Sequence, residues 1–496
     1  MIFPKPLKTK RYTCKSLGLS NLYRVSYEEL PLPEPSPMKD IDVKNDRKEI
    51  FGWVTYDWAN SVFFTTVAGV LIGEYLTSLA QTAVGENGVI LSLGSTPVVT
   101  AKSIYSYSVG LSVFLQVFFL PFMGAIADYT HLKKTFMAVF CYAGAFACCL
   151  LFFIDVKTYV IGCAFFIVSN LCAGASIVFY NSFLNDITTV DKRDKISSWG
   201  FAAGYASGVI VLIANLVFLK NVDYFGISTD LAVRICLLTS GMWWASFAII
   251  TFKLLKRRAP VRVAPADTGY IKAGFSELGE TFRELLHLKH TALFLAAYLF
   301  YNDGVQTVIN SAGLFLSQEL FVARGVETDR SILVIAYIIA QLVAFFGSLV
   351  FERVAHFTSA KTAILISLVI WSGIVIYAYT FLQTIAEAYF MSGAIGLVLG
   401  GSQALSRSLF SQMIPAGRES SFFGIYEISE RGTSWIGPIV FGTVAMYTDS
   451  YRPAILALII FFVFGSVLLA FVDTKRAIRE AGNSAPDDGG TSAAYA

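Results

Sequence analysis

Gly124-Ala-Ile-Ala-Asp128-Tyr-Thr-His131-Leu-Lys133-Lys134-Thr135 is a short polar break between two apolar runs, 104–126 and 135–154. Each run holds about 20 residues, enough to cross a bilayer's hydrocarbon core as a helix. The break therefore reads as a tight loop joining two membrane-spanning helices. A looser copy, Gly347-Ser-Leu-Val-Phe-Glu352-Arg353-Val-Ala-His356 ending at Lys361-Thr362, separates the runs 331–351 and 362–382. Both copies leave a helix through glycine, then an acid, then cations, which predicts an internal repeat.

Working outward, the runs 52–79, 158–182, 199–219 and 232–252 complete the first half, and 291–316, 386–410, 422–447 and 453–472 complete the second. The predicted fold is an all-α integral membrane protein of about twelve transmembrane helices in two pseudo-symmetric six-helix bundles. The expected organisation is an N-terminal tail (1–50), a first bundle (51–252), a linker (253–289), a second bundle (290–472) and a disordered C-terminal tail (473–496). In the linker, Phe275, Leu278, Phe282, Leu285 and Leu286 recur at helical spacing, as on a helix lying on the membrane surface or packed on the bundle. The tail before Met38 is basic, then proline-rich, and too polar for a signal peptide; Met38 is an alternative start.

Composition agrees. The chain of 496 residues is 55% hydrophobic but only 15% charged, with a mean hydropathy of +0.61; soluble domains carry about 25% charged residues. A net charge of +3 gives no reason to expect nucleic acid as a partner. Most of the 38 Lys and Arg fall in the two tails and every second loop, which predicts a cytoplasmic location for both termini. No cysteine pair has metal or redox spacing, and no phosphate-binding Gly-x-x-x-x-Gly-Lys-Ser/Thr loop occurs. Neither a cofactor nor an enzymatic activity is expected; the surroundings are a lipid bilayer and the partner a small solute, with protons as a candidate coupling ion.

Polar residues inside the spans call for an explanation, because a charge at a helix centre costs at least about 2.5–3.5 kcal/mol. Asp303 lies near the middle of span seven, and Asn302, Gln306 and Asn310 share one face of that helix at i, i+4, i+8. With Asn60 in span one, Asn170 in span four and Gln403 in span ten, Asn302, Asp303 and Gln306 are the expected substrate-binding residues; Tyr180 and Asn181 are weaker candidates. Asp57, Asp128, Lys133, Arg407, Glu427, Glu430 and Arg431 are the expected gating residues. Glu427 precedes Arg431 by four, the favourable order for a helical ion pair, and Arg407 is placed to bridge to Glu427 or Glu430. Gly396 and Gly400 on span ten permit close packing.

The loop at Gly124, Asp128, Lys133 and Lys134 resembles the signature of the major facilitator superfamily, with Tyr129 in place of a cation and His131 in place of a glycine. A narrower similarity lies in Tyr56-Asp57-Trp58-Ala59-Asn60-Ser61, Tyr301-Asn302-Asp303-Gly304-Val305-Gln306-Thr307, Gly401-Ser402-Gln403-Ala404-Leu405-Ser406-Arg407-Ser408 and Ile414-Pro415-Ala416-Gly417-Arg418-Glu419 with Phe422-Phe423-Gly424-Ile425-Tyr426. These motifs resemble the vacuole effluxer family, the autophagy-related amino-acid effluxer branch of that superfamily, over roughly residues 48–475. The resemblance implies the superfamily's fold and alternating access, and export of amino acids by a secondary transporter. Other solutes (sugar, peptide, drug), a lipid scramblase and a receptor are the alternatives. A bacterial inner membrane is the expected location and a vacuolar membrane the alternative.

Overall fold

The computed structural model describes residues 44–86, 88–93, 96–258, 270–432, 436–448 and 450–483. Both Met38 and most of the N-terminal tail lie outside the described residues.

Among these residues ten helices are long and apolar enough to cross a membrane. Spans one to six are Arg47–Val84, Ile104–Asp128, Lys133–Phe153, Tyr159–Ile187, Val190–Lys220 and Thr229–Leu254; spans eight, nine, ten and twelve are Arg330–Phe357, Ala360–Thr380, Ile385–Gln412 and Tyr451–Phe471. Two further elements bring the bundle to twelve. Span seven, Lys289–Leu320, is long, but its run of amides and Asp303 lowers its hydropathy. Span eleven comprises Glu419–Glu427, a π-helical stretch Ile428–Gly432 and, past residues outside the described set, Ile436–Thr448.

Lipid explains the surface pattern. Phe114, Phe118, Phe146, Phe390 and Phe471 point outward, which is unfavourable in water and ordinary in hydrocarbon. Inward faces carry small residues. A Cβ on Gly396 or Gly400 would come within 2.1 or 2.2 Å of the Ala340 or Ala344 carbonyl, so spans eight and ten pack backbone to backbone only with glycine there.

Two features differ from the sequence reading, and a third decides between its alternatives. A two-stranded antiparallel hairpin, Val89–Leu93 with Thr96–Thr100, joins spans one and two. The tail expected to be disordered from 473 holds a further helix, Thr474–Glu480, capped by the Asp473 side chain and anchored by buried Ala477 and Ile478. Beyond it, Asn483 donates to the carbonyls of Gln412 and Ile414 at 2.9 and 2.8 Å. The linker helix, Tyr270–His287, packs on the bundle: Glu277, Thr281 and Leu285 are buried, while Phe282 and Leu286 are exposed. The side chain of Phe275 lies outside the described residues.

Candidate functional site

Between the two bundles lies a cavity of about 450 Å³ lined from both halves. Asn60, Asn170, Gln306 and Gln403 all line it, together with Asp57, Arg407, Glu427 and Glu430. Spans one, four, seven and ten supply the first four, because each turns one polar stripe inward. Sequence reading missed Tyr205, Tyr337 and Gln341 in the lining; a lone tyrosine or glutamine in an apolar helix carries no spacing signal to single it out. Tyr205 donates to Gln403 Oε1 at 2.7 Å, linking the halves across the cavity. Asn170 Nδ2 donates to Ser112 Oγ at 2.7 Å.

Asn302 and Asp303 are absent from this lining, which corrects their expected contact with substrate. Asn302 is buried and donates to the Glu430 carbonyl at 3.0 Å. A π-helical stretch leaves backbone carbonyls without regular partners, and this amide takes up one of them. Asp303 faces the other side of span seven, where Oδ2 accepts the Gly437 N–H at 2.8 Å. It thus ties span seven to the Ile436–Thr448 segment of span eleven.

Towards the face that carries the chain's tails, the cavity ends at Arg407. Nη1 meets Asp57 Oδ2 at 3.3 Å, Nε donates to Ser197 Oγ at 2.9 Å and Nη2 to the Ser197 carbonyl at 2.8 Å. The guanidinium also stands over the rings of Phe201, Trp53 and Tyr180 at 4.2, 4.9 and 5.4 Å from their centroids. Tyr180 donates to Asp57 Oδ2 at 2.6 Å. The expected bridge from Arg407 to Glu427 or Glu430 is therefore replaced: Arg407 pairs with Asp57 and reaches Glu427 through Asn181, accepting from Arg407 at 3.3 Å and donating to Glu427 at 3.0 Å. A Cβ on Gly200 would lie 2.5 Å from Asp57 Oδ2 and 3.0 Å from Arg407 Nη2, so this glycine is what leaves room for the pair. The side chain of Arg431 lies outside the described residues.

A second set of contacts joins the halves closer to the tail face. Asp128, at the end of span two, accepts the N–H groups of Ser420 and Ser421 at 2.9 and 2.8 Å, and the Ser421 hydroxyl at 2.7 Å. An acid at a helix start satisfies the unpaired donors there and suits the helix dipole. Gly124 lets the helices approach, since a Cβ would fall 2.3 Å from the Ser420 carbonyl. Lys133 pairs with Asp186 at 3.0 Å and stands among Asp186, Glu419 and Asp128. Glu419, the first residue of span eleven, turns its carboxylate back to accept the Gly417 N–H at 3.1 Å. Arg193 and Asn185 donate to the Ser411 carbonyl at 3.0 and 2.9 Å.

The linker helix crosses these contacts from outside. Its Glu277, Glu280 and Glu284 approach Arg418 at 3.4, 3.4 and 2.5 Å, and Tyr129 from the first half donates to Glu277. On the opposite face, Arg330 pairs with Glu74, but both side chains are exposed, at 80% and 69%. An exposed pair contributes little, about 0–1 kcal/mol. Among the described residues, the buried ion pair Asp57–Arg407 and the Asp128 contacts with Ser420 and Ser421 lie on the tail side of the cavity, so that side is the firmly closed one.

The model of the family described as "Vacuole effluxer Atg22 like" matches residues 45–193 and 185–482. An uncharacterized MFS-type transporter of Bacillus subtilis, YxiO, is 29% identical over 90% of this chain and 100% of its own length. Autophagy-related protein 22-1 of Emericella nidulans is 26% identical over 88% of this chain and 92% of its own. Among solved structures, the E. coli fucose:proton symporter FucP superposes with a TM-score of 0.63 at 11% identity, covering 86% of this chain and 98% of its own. The proton:xylose symporter XylE gives 0.60 at 11%, covering 88% and 97%. At these identities the structural likeness speaks for the fold alone.

Proposed function

Because the chain belongs to the vacuole effluxer Atg22-like family of major facilitator transporters, we propose that it moves amino acids out of the compartment facing the cavity by alternating access. It is a multi-pass membrane transporter; the substrate, direction and coupling belong to the proposal. The tail face is the cytoplasmic one on the distribution of Lys and Arg, and the membrane is a bacterial inner membrane or a vacuolar one.

The observation that carries the reading is the ion pair Asp57–Arg407 between the bundles at the cavity's end. A buried pair that spans two rigid bodies is favourable only while they are together; once they part, each charge must find water. Such a contact gives the interface two states, the requirement for gating. Asp128 with Ser420 and Ser421 forms the second closure of the same side. When the halves rock apart there, the cavity opens to the tail side.

The lining suits a small zwitterion. Asn60, Asn170, Gln306 and Gln403 offer donors and acceptors of no net charge, Glu427 and Glu430 offer an ammonium partner, and the tyrosines present aromatic faces to a cation. Arg407 is engaged with Asp57, Ser197 and Asn181 in this state, so it acts as a gate rather than as the carboxylate ligand.

Reconstitution in liposomes with a panel of labelled neutral amino acids tests the reading. Saturable exchange that Gln403→Ala and Asn60→Ala reduce about tenfold or more in apparent affinity, the scale of one lost hydrogen bond to a charged group, supports it. Saturable exchange of sugars or peptides in place of amino acids overturns the substrate class.

A further inference from the structure

We infer that Asp303 is a proton-binding site seated outside the substrate cavity, against the Ile436–Thr448 segment of span eleven, and that it couples a proton to the transport step; this rests on the transport reading above. The carboxylate is 1% exposed. One oxygen caps the Gly437 N–H, and the other, Oδ1, is buried without any hydrogen-bond partner. Nothing structural needs that second oxygen: an asparagine or serine would cap Gly437 as well.

The surroundings offer no counter-charge among the described residues. From span twelve, the Phe461 and Phe462 side chains come nearest to Gly304, and Gly465 packs on Tyr301. From span ten comes Ser406, paired with Tyr301 at 2.6 Å. The second segment of span eleven presents the Gly437 amide and packs against Thr307, whose hydroxyl donates to the Asp303 carbonyl at 2.7 Å. The π-helical stretch presents the Glu430 carbonyl to Asn302, while the Glu430 carboxylate lines the cavity and acts on Tyr205, Tyr298 and Tyr426. Span seven's further charged groups lie at its two ends: Lys289 and His290 at the start, and Glu319, paired with Arg452 at 2.7 Å, sixteen residues or about 24 Å along the helix. A lone carboxylate in such a place is compensated by a proton. A sodium ion would need several oxygens around it, and no cluster of three or more His, Cys, Asp or Glu fit to hold a metal occurs among the described residues.

The position gives the proton leverage. Span seven holds the Ile436–Thr448 segment of span eleven through Asp303 and the π-helical stretch through Asn302. Tyr426 and Glu427 of the first segment and Glu430 of the π-helical stretch face the cavity. Ionised, Asp303 binds the Gly437 amide as a charge-assisted acceptor; protonated, it binds more weakly. The proton therefore acts on the joint between substrate-facing and rigid parts of one helix, without touching the substrate.

The test is transport by the full chain in liposomes, comparing exchange at equal pH with accumulation under a pH gradient. For one proton per solute, one pH unit drives about tenfold accumulation. Wild type is expected to accumulate on this scale, and Asp303→Asn to keep exchange while losing accumulation. Accumulation by Asp303→Asn equal to wild type overturns the inference and leaves the transport reading standing, as does accumulation by wild type driven by sodium alone. Absence of exchange in folded wild type overturns both. If Asp303→Asn loses exchange too, Asp303→Glu decides: a displaced pH profile of accumulation supports the site, and an unmoved profile overturns it.

Discussion

Asp57 and Arg407 stand 350 residues apart in the chain and meet at 3.3 Å across the two bundles. Their side chains are 13% and 4% exposed. Removing one partner of such a pair strands the other charge, at a cost of about 3–5 kcal/mol, whereas removing both costs less. Asp57→Ala should therefore lower the melting temperature in detergent more than Asp57→Ala combined with Arg407→Met. Equal losses, adding site by site, would show that the pair does not couple the halves.

Gly200 is predicted to be intolerant for a reason of space alone. Gly200→Ala drives a methyl to within 2.5 Å of Asp57 Oδ2, and overpacking of this kind costs about 1–3 kcal/mol. The expected outcome is a transporter that folds but opens to the tail face, seen as faster labelling of a cysteine placed at Ser197. Unchanged labelling would mean that the gate absorbs the methyl.

Asp128→Ala removes three accepted hydrogen bonds at the start of span eleven. Loss of a helix cap costs about 0.5–2 kcal/mol, which raises the fraction open to the tail side roughly 2- to 30-fold at 1.4 kcal/mol per decade. Labelling of the same position reports it, and Asp128→Asn, which still accepts, should fall between.

How much of this was legible beforehand follows from what each signal depends on. Spans are local: twenty apolar residues speak for themselves, and the two Gly–acid–cation loops mark the halves. Asn60, Gln306 and Gln403 could be placed on the cavity because each has an amide, acid or glycine one turn away on the same helix face, which Gln341 does not. Arg407's true partner was not legible, since Asp57 lies in the other half and only Gly200, a residue without chemistry, makes the room. Asp303 stood out as a carboxylate near mid-span, yet its side of the helix depended on where Gly437 of span eleven packs, a contact that no spacing in the sequence reports. The capped helix at Thr474–Glu480 was missed because its anchor is a two-residue apolar contact.

The most direct test of alternating access locks the tail face. The hydroxyls of Ser182 and Ser420 lie 3.3 Å apart across the halves, and both accept cysteine with little change in volume. In liposomes, oxidation of the Ser182→Cys/Ser420→Cys protein should stop solute exchange, and reduction should restore it, while each single variant stays active throughout. Exchange that continues at the full rate in protein shown to be cross-linked would contradict a transport cycle in which these halves part.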